Sequence, residues 1–348
     1  MLSTSPDIAK LQKLAYKRLS EYFQEHAEDV ITIEILPPAI QPPDGVLMQD
    51  GLNLGVPKKI LALAYMEARQ RFFDNIKNGT TSSTALQATN IMLLFDPEHL
   101  TAANFRKRRL LQLKNDTSLQ AGSAYHKALR RELNFLNTIL TSPLHRQSKS
   151  PTLWYQRLWI LGPLVDIELK NASKNERAVF WRGELTAVCK SGEQHPKNYY
   201  AWQYARRLIP RIESPEISNE FAYDVKDWCR KHPSDISGWT FLLFLLPGMQ
   251  PVSEKQNLLG DVLRYAITFT SEQESLWVFI RMALARETLC GGNTATYQTL
   301  QDHGKALGVI HEHRALSERV SQTLTWIDTY GQPVTVAESS CSKEYGWC

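Results

Sequence analysis

The chain has 348 residues, 43% of them hydrophobic, 10% aromatic and 22% charged, with a formal net charge of +4. That composition supplies ample core and excludes bulk disorder. Five scattered cysteines (Cys189, Cys229, Cys290, Cys341, Cys348) without CxxC spacing argue against both a disulfide framework and a self-contained zinc site. The N-terminus lacks a basic flank followed by an apolar core, and the densest apolar run, Phe241 to Leu246, is too short to span a membrane, so a reducing, cytoplasmic setting is expected.

Ser5-Pro6 reads as an N-cap followed by proline at the first helical position. Ile8, Leu11, Leu14, Ala15, Leu19 and Tyr22 form one apolar stripe, which predicts a helix to about Glu25. Residues 29–36 alternate like a strand, and Pro37-Pro38 and Pro42-Pro43 then interrupt pairing, so 29–55 is expected to be an extended arm or a lone hairpin. From Val56 onward the pattern is helix, short polar break, helix. Helices are expected near 56–77, 82–95, 101–114, 121–141, 151–166, 174–191, 198–210, 218–231, 236–246, 254–269, 273–288, 294–307 and 311–330. Proline follows the first helix at Phe95-Asp96-Pro97, Ser142-Pro143, His195-Pro196 and His232-Pro233, where continuing a helix is sterically costly. Residues 331–348 turn polar and read as a frayed tail, leaving 1–55 as a helix plus arm and 56–330 as the helical body.

The helical body repeats itself. Lys197-Asn198-Tyr199-Tyr200-Ala201-Trp202 has an approximate copy, Lys149-Ser150-Pro151-Thr152-Leu153-Trp154, 48 residues upstream. Each copy follows a helix containing Glu-Leu (Glu132-Leu133, Glu184-Leu185) and leads into another helix, so the unit is a helix pair whose second member opens with an indole. Ala103, Trp154, Trp202, Trp239 and Trp277 mark successive units. Rings at one fixed place fill junctions between pairs, whereas a base-stacking platform would need them exposed and interleaved with cations. Burial is the expectation. Arg106 and Arg157 follow Ala103 and Trp154 by three residues, and Arg206 and Arg281 follow Trp202 and Trp277 by four.

Residues 101–150 hold ten Lys or Arg against two acids, Asp116 and Glu132. Solvated helix faces, a half-site for phosphate or diphosphate, and a nucleic-acid footprint would all look like this. Arg106-Lys107-Arg108-Arg109 spreads around its helix, which favours solvated charge there.

These residue choices resemble the protein prenyltransferase alpha-subunit repeat, whose core is an Asn-Pro-Lys-Asn-Tyr-x-x-Trp-x-x-Arg run after a helix containing Glu-Leu. The nearest copy runs from Glu184-Leu185 through His195-Pro196-Lys197-Asn198-Tyr199-Tyr200-Ala201-Trp202. Others are Asp96-Pro97 to Arg106, Lys149 to Trp159, His232-Pro233 to Trp239, and a faded Trp277 to Arg281, covering about residues 82–285. The earlier segments Ile33-Glu34-Ile35-Leu36-Pro37-Pro38 and Gly51-Leu52-Asn53-Leu54-Gly55-Val56, with Leu86 to Arg109, look like the alpha-subunit-repeat-containing branch associated with a type III geranylgeranyltransferase.

The resemblance implies an all-α superhelix of about five antiparallel helix pairs behind a short extended N-terminal arm. It implies a crescent that wraps a separate beta subunit, an alpha-alpha barrel carrying the zinc and the isoprenoid pocket. A zinc-bound thiolate of a C-terminal cysteine in a trafficking-type protein would attack a prenyl diphosphate. The departing diphosphate then needs cationic support. Lys149 stands where the family keeps an alpha-subunit lysine that reaches the diphosphate. An ammonium about 4 Å from one negative charge contributes on the order of 4 kcal/mol of Coulomb attraction at an effective dielectric near 20, before desolvation.

Lys197, Asn198, Tyr199 and Tyr200 match the loop at the active-site mouth, although Asn198 has an alternative reading as a helix cap. Tyr200 replaces the usual histidine, Pro151 a tyrosine, and Thr152 a glutamine that binds a substrate carboxylate. Ala205 and Leu242 occupy arginine places. The resemblance therefore leans away from ordinary C-a-a-X recognition. It implies a geranylgeranyltransferase alpha subunit that is inactive and poorly soluble alone, with zinc in the partner and prenyl diphosphate as co-substrate. The other reading is a non-catalytic helical-repeat scaffold, in RNA processing or protein docking, that uses the basic 101–150 segment; nucleic acid is the less favoured partner.

Overall fold

The computed structural model describes residues 6–78, 82–116, 119–269, 272–285, 294–307 and 314–331. The expected polar tail beyond Gly331, with Cys341 and Cys348, lies outside them, as do Ser5 and Cys290. Two compact units divide inside one helix, the first ending at Tyr204 and the second starting at Ala205.

The first unit opens with α1 (Pro6–Glu25), which buries Ala15, Tyr16, Leu19, Tyr22 and Phe23. Ile8 and Leu14, assigned to its apolar stripe from the sequence, are 42% and 44% exposed. The buried face has turned toward Tyr16 and Phe23, where the helix meets its neighbours.

Residues 29–55 are not an arm. They supply most of a three-stranded sheet of β1 (Thr32–Leu36), β2 (Met48–Asp50) and β3 (Asn53–Pro57), in the order β1-β3-β2. β3 runs parallel to β1 and antiparallel to β2. Gly51, at φ +55°, makes the tight β2-to-β3 turn, a left-handed conformation that glycine adopts without strain. The four prolines fall in the β1-to-β2 connection, where no ladder hydrogen bond is required. The open edge of β1 is satisfied by the end of a later helix: Ile31 N–H donates to Thr138 Oγ1 at 3.1 Å and Ile33 N–H to Ser142 Oγ at 2.9 Å. A strand edge capped by hydroxyls about a hundred residues away leaves no local sequence signal.

After α2 (Lys58–Asn75), three helix pairs complete the first unit: α3 (Ser83–Phe95) with α4 (Leu100–Asp116), α5 (Ala124–Thr141) with α6 (Pro151–Glu168), and α7 (Lys174–Gln194) with α8 (Tyr199–Leu208). The second unit holds α9 (Pro215–Lys231) with α10 (Ile236–Leu245), α11 (Val252–Thr268) with α12 (Glu274–Ala285), then α13 (Thr294–Leu307) and α14 (Arg314–Tyr330). The fold class is the expected all-α one; among the described residues it comprises five helix pairs flanked by further helices, with one small sheet.

Local chemistry sets the boundaries. Ser82, Ser123, Ser150, Ser173 and Ser214 each accept an N–H from the first turn of the helix they precede, and Ser173 with Glu176 forms a capping box. Helices α3, α5, α7 and α9 stop at Phe95, Thr141, Gln194 and Lys231, just ahead of the four turn prolines. Within the first unit α5 packs on α7 and α4 on α6. Within the second, α9 packs on α11 and α10 on α12, so like members of successive pairs lie side by side. Gly238 lets α10 approach α9 closely, since an added Cβ would lie 2.7 Å from the Trp228 ring.

Candidate functional site

One register rule governs the turns. The residue at the head of each second helix (His99, Ser150, Asn198, Asp235, Gln273) is followed four positions later by Ala103, Trp154, Trp202, Trp239 or Trp277. Side chains cap four of these helices: His99 Nδ1 accepts from Ala102 N–H at 3.3 Å, Ser150 Oγ from Leu153 at 3.1 Å, Asn198 Oδ1 from Ala201 at 3.3 Å, and Asp235 Oδ1 from Ser237 at 2.9 Å. The four indoles are 0–3% exposed, so they anchor the pairs and offer no stacking platform for bases.

Successive turns are joined through carbonyls two residues ahead of the caps. The Ser148 carbonyl accepts from its own indole, Trp154 Nε1, at 2.9 Å, and from the next cap, Asn198 Nδ2, also at 2.9 Å. One unit earlier, Ser150 Oγ donates to the Pro97 carbonyl at 3.2 Å. In the second unit Trp239 Nε1 repeats the indole bond, to the Pro233 carbonyl at 2.9 Å. Lys149 and Lys197 therefore precede equivalent caps in equivalent hairpins.

The structure sorts the five residues assigned to the diphosphate side. Asn198 is wholly buried, and its amide is engaged with Ser148, Ser191 Oγ and the α8 backbone, so it acts as cap and tie. Lys149 is half-buried at the end of a single 3-10 turn, Gln147–Lys149, and forms no ion pair among the described residues. Lys197 is exposed and holds φ +59°, a left-handed conformation that costs a non-glycine residue roughly 1–3 kcal/mol. Tyr199 and Tyr200 are 58% and 39% exposed, edge to face with centroids 5.5 Å apart. Lys149, Lys197 and the two phenols thus lie on solvent-reaching turns tied together by the Asn198–Ser148 bond.

Sequence reasoning did not find the imidazoles beside Lys149. The His145 and His195 rings lie 4.3 Å apart, and His195 Nδ1 is 3.1 Å from the Pro196 carbonyl. Burial holds the His195 pKa below the ordinary histidine value. The charges of Lys149 and His145 act in the same direction, while the Pro196 carbonyl opposes them. Both side-chain charges acting on His195, those of Lys149 and His145, are positive.

Two buried ion pairs brace the repeats. Arg106 is 5% exposed and forks onto Glu132, with Nη2–Oε2 at 2.6 Å, and also donates to Thr89 and Asn90. Its placement in solvated charge is corrected: a buried guanidinium needs a buried acid, and the Glu-Leu helix supplies one. Arg157, 1% exposed, pairs in the same way with Glu184 and with the Tyr204 hydroxyl, and its Nε donates to Asn137 at 3.1 Å. Burial lowers the Arg157 pKa, but Glu184 and Tyr204 outweigh that and raise it. Glu-Leu was legible as a repeat marker; its carboxylate as the arginine's partner was not. Arg206, one residue later in register, instead lies over the Phe241 and Phe244 rings, and Arg281 pairs with Glu274 at 3.1 Å.

Ala103, in the place of an indole, borders a cleft of about 350 Å³ that is also lined by Lys107, Thr152 and Tyr155. Lys107 sits 4.7 Å over the Trp159 ring. Thr152 donates its hydroxyl to the Glu98 carboxylate, and the single Ser150 hydroxyl hydrogen is shared between that carboxylate and the Pro97 carbonyl, placing negative charge beside this turn.

Part of the basic 101–150 segment is paired: Arg106, Arg130, Arg131 and Arg146 meet Glu132, Glu168, Glu28 and Asp96. Among the described residues no helix is long and apolar enough to cross a membrane. No group of three or more His, Cys, Asp or Glu among them is placed to hold a metal ion.

Capped helix pairs, indoles in constant register and arginine–glutamate braces define a helical-repeat protein of the alpha-alpha type. A family model described as the ECM9 middle domain matches residues 153–265. The geranylgeranyl transferase type-2 subunit alpha of Homo sapiens is 26% identical over 232 residues, 64% of this chain and 37% of that protein. The Saccharomyces cerevisiae protein of the same name is 25% identical over 221 residues, 60% of this chain and 61% of that protein. The Candida albicans one is 26% identical over 149 residues, 43% and 37% of the two chains. The chain is similar, at about 25% identity, to these prenyltransferase alpha subunits. It spans little more than a third of the length of the mammalian relatives it matches.

Proposed function

We propose that this chain is the alpha, zinc-free subunit of a heterodimeric cytoplasmic protein prenyltransferase. With a barrel-type beta subunit it attaches a geranylgeranyl group by thioether to a C-terminal cysteine of a trafficking-type protein. In this reading zinc is held by the beta subunit, and the prenyl diphosphate enters as co-substrate. The observation that carries it is Lys149, which ends a turn pinned by the Asn198–Ser148 bond and lacks an acidic partner among the described residues. An ammonium so placed can stabilise the negative charge that accumulates on a departing diphosphate, with its position set before the reaction. Lys197 would add to the same positive field, and Tyr199 and Tyr200 would meet the partner or substrate.

The N-terminal segments favour the type III branch, whereas the relatives above carry the type-2 name; the beta subunit that co-purifies distinguishes the two. A scaffold that docks RNA through residues 101–150 is disfavoured, because four of the ten cations there are already paired. The test is co-expression with a prenyltransferase beta subunit and transfer of radiolabelled geranylgeranyl. Lys149→Ala is expected to lower kcat at least about tenfold with little change in partner affinity. Labelling undiminished by Lys149→Ala removes the role given to that lysine, and absence of any complex removes the subunit assignment.

A further inference from the structure

A separate cleft of about 850 Å³ opens where the end of β1, the β1-to-β2 connection and the start of α2 converge. Its volume falls within the range of small-molecule sites, about 300–1,000 Å³. Leu11, Ile35, Ile40 and Ile60 line it. Ile60 is 5% exposed, while Ile35 and Ile40 stand 37% and 42% exposed, together forming an apolar patch open to solvent.

The charge around the cleft has one sign. Lys58 and Lys59 line it, both are exposed, and neither forms an ion pair among the described residues. They open α2, whose cap residue, Pro57, supplies no side-chain acceptor and whose first turn contains no acid. The nearby carboxylate of Asp44 is committed to Arg18 at 2.9 Å and to the N–H groups of Val46 and Leu47, both at 2.8 Å. Helix dipole and lysines therefore both favour an anion at this mouth.

The wall chemistry selects the kind of occupant. Pro37, Pro38 and Pro57 lack N–H donors, so an extended peptide adding to this wall would leave its own carbonyls without partners. An aliphatic chain makes no such demand.

We propose that this cleft binds one single-chain amphiphile, its aliphatic tail among Leu11, Ile35, Ile40 and Ile60 and its anionic head at Lys58 and Lys59. The assignment is independent of the Lys149 turn. The test titrates the full chain, by calorimetry below micellar concentrations, with oleate, oleoyl lysophosphatidate, oleoyl lysophosphatidylcholine and oleyl alcohol.

Saturable binding of one anionic lipid per chain, at least about tenfold tighter than the zwitterionic and neutral ones, is the expected result. Whether carboxylate or phosphate binds tighter identifies the head group. Ile40→Asp should abolish binding, and the double variant Lys58→Glu, Lys59→Glu should bring the anionic lipids down to the neutral level. All three positions are exposed, and an unchanged thermal midpoint verifies the fold. No saturable binding, no preference for the anionic head, or binding untouched by Ile40→Asp overturns the proposal, as does capture of an acidic apolar peptide with no lipid binding.

Discussion

Asn198 and Ser148 lie fifty residues apart in sequence and meet at 2.9 Å, the buried amide of one donating to the carbonyl of the other. The same amide side chain caps α8 and bonds to Ser191. Asn198→Ala removes a cap and leaves Ser191 and Ser148 with fewer partners in a buried site, so a loss of about 2 kcal/mol is expected by denaturant unfolding. Asn198→Asp keeps the cap acceptor but replaces the donor with an oxygen, and should be no better. A loss under about 0.5 kcal/mol for either would mean that the tie contributes little.

The Arg157–Glu184 brace allows a sharper test. Arg157→Met alone strands a buried carboxylate and should cost about 3–5 kcal/mol, as should Glu184→Leu alone, because each leaves one charge unpaired. The double variant should lose much less than the two single losses combined. A double-mutant cycle with no coupling would show that the two side chains are solvated independently.

Stability should fall toward acid partly through His195. Its folded pKa lies below the ordinary value of 6.5, so the folded protein favours the neutral ring. That contribution is complete above the unfolded value and is lost as pH falls through the folded one. His195→Asn should therefore flatten the fall in unfolding free energy below about pH 6.5 relative to the parent. Parallel curves for the two proteins would remove His195 from the acid response.

Ala103→Trp restores the indole register beside a cleft of about 350 Å³. The new ring has a ready acceptor in the Pro97 carbonyl, the counterpart of the carbonyl that receives Trp154. A gain of about 1 kcal/mol is expected in unfolding experiments. Destabilisation would show that the cleft is shaped for something other than a side chain.

Most helices were legible because their signals are local: serine caps, prolines just past helix ends and indoles at a fixed offset. The hairpin equivalence of Lys149 and Lys197 was legible for the same reason. The sheet was half legible, since Thr32 to Leu36 alternates but takes its edge partners from Thr138 and Ser142. Arg106 misled because four consecutive basic residues look solvated, and only the fold brings Glu132 against one of them. The His145–His195 pair was missed, because His195 recurs as His232 only as part of the turn signature and the fold alone brings His145 against it.

The ties between turns also have a direction. Two caps bond backward, Ser150 to Pro97 and Asn198 to Ser148, so in both ties the acceptor precedes its donor along the chain. During synthesis a newly emerged hairpin meets a finished docking point on the one before it, and assembly can proceed from the N-terminus like a zip closing behind the ribosome. A chain halted after α4 or after α6 would end on an acceptor left waiting, not on a donor stranded without one.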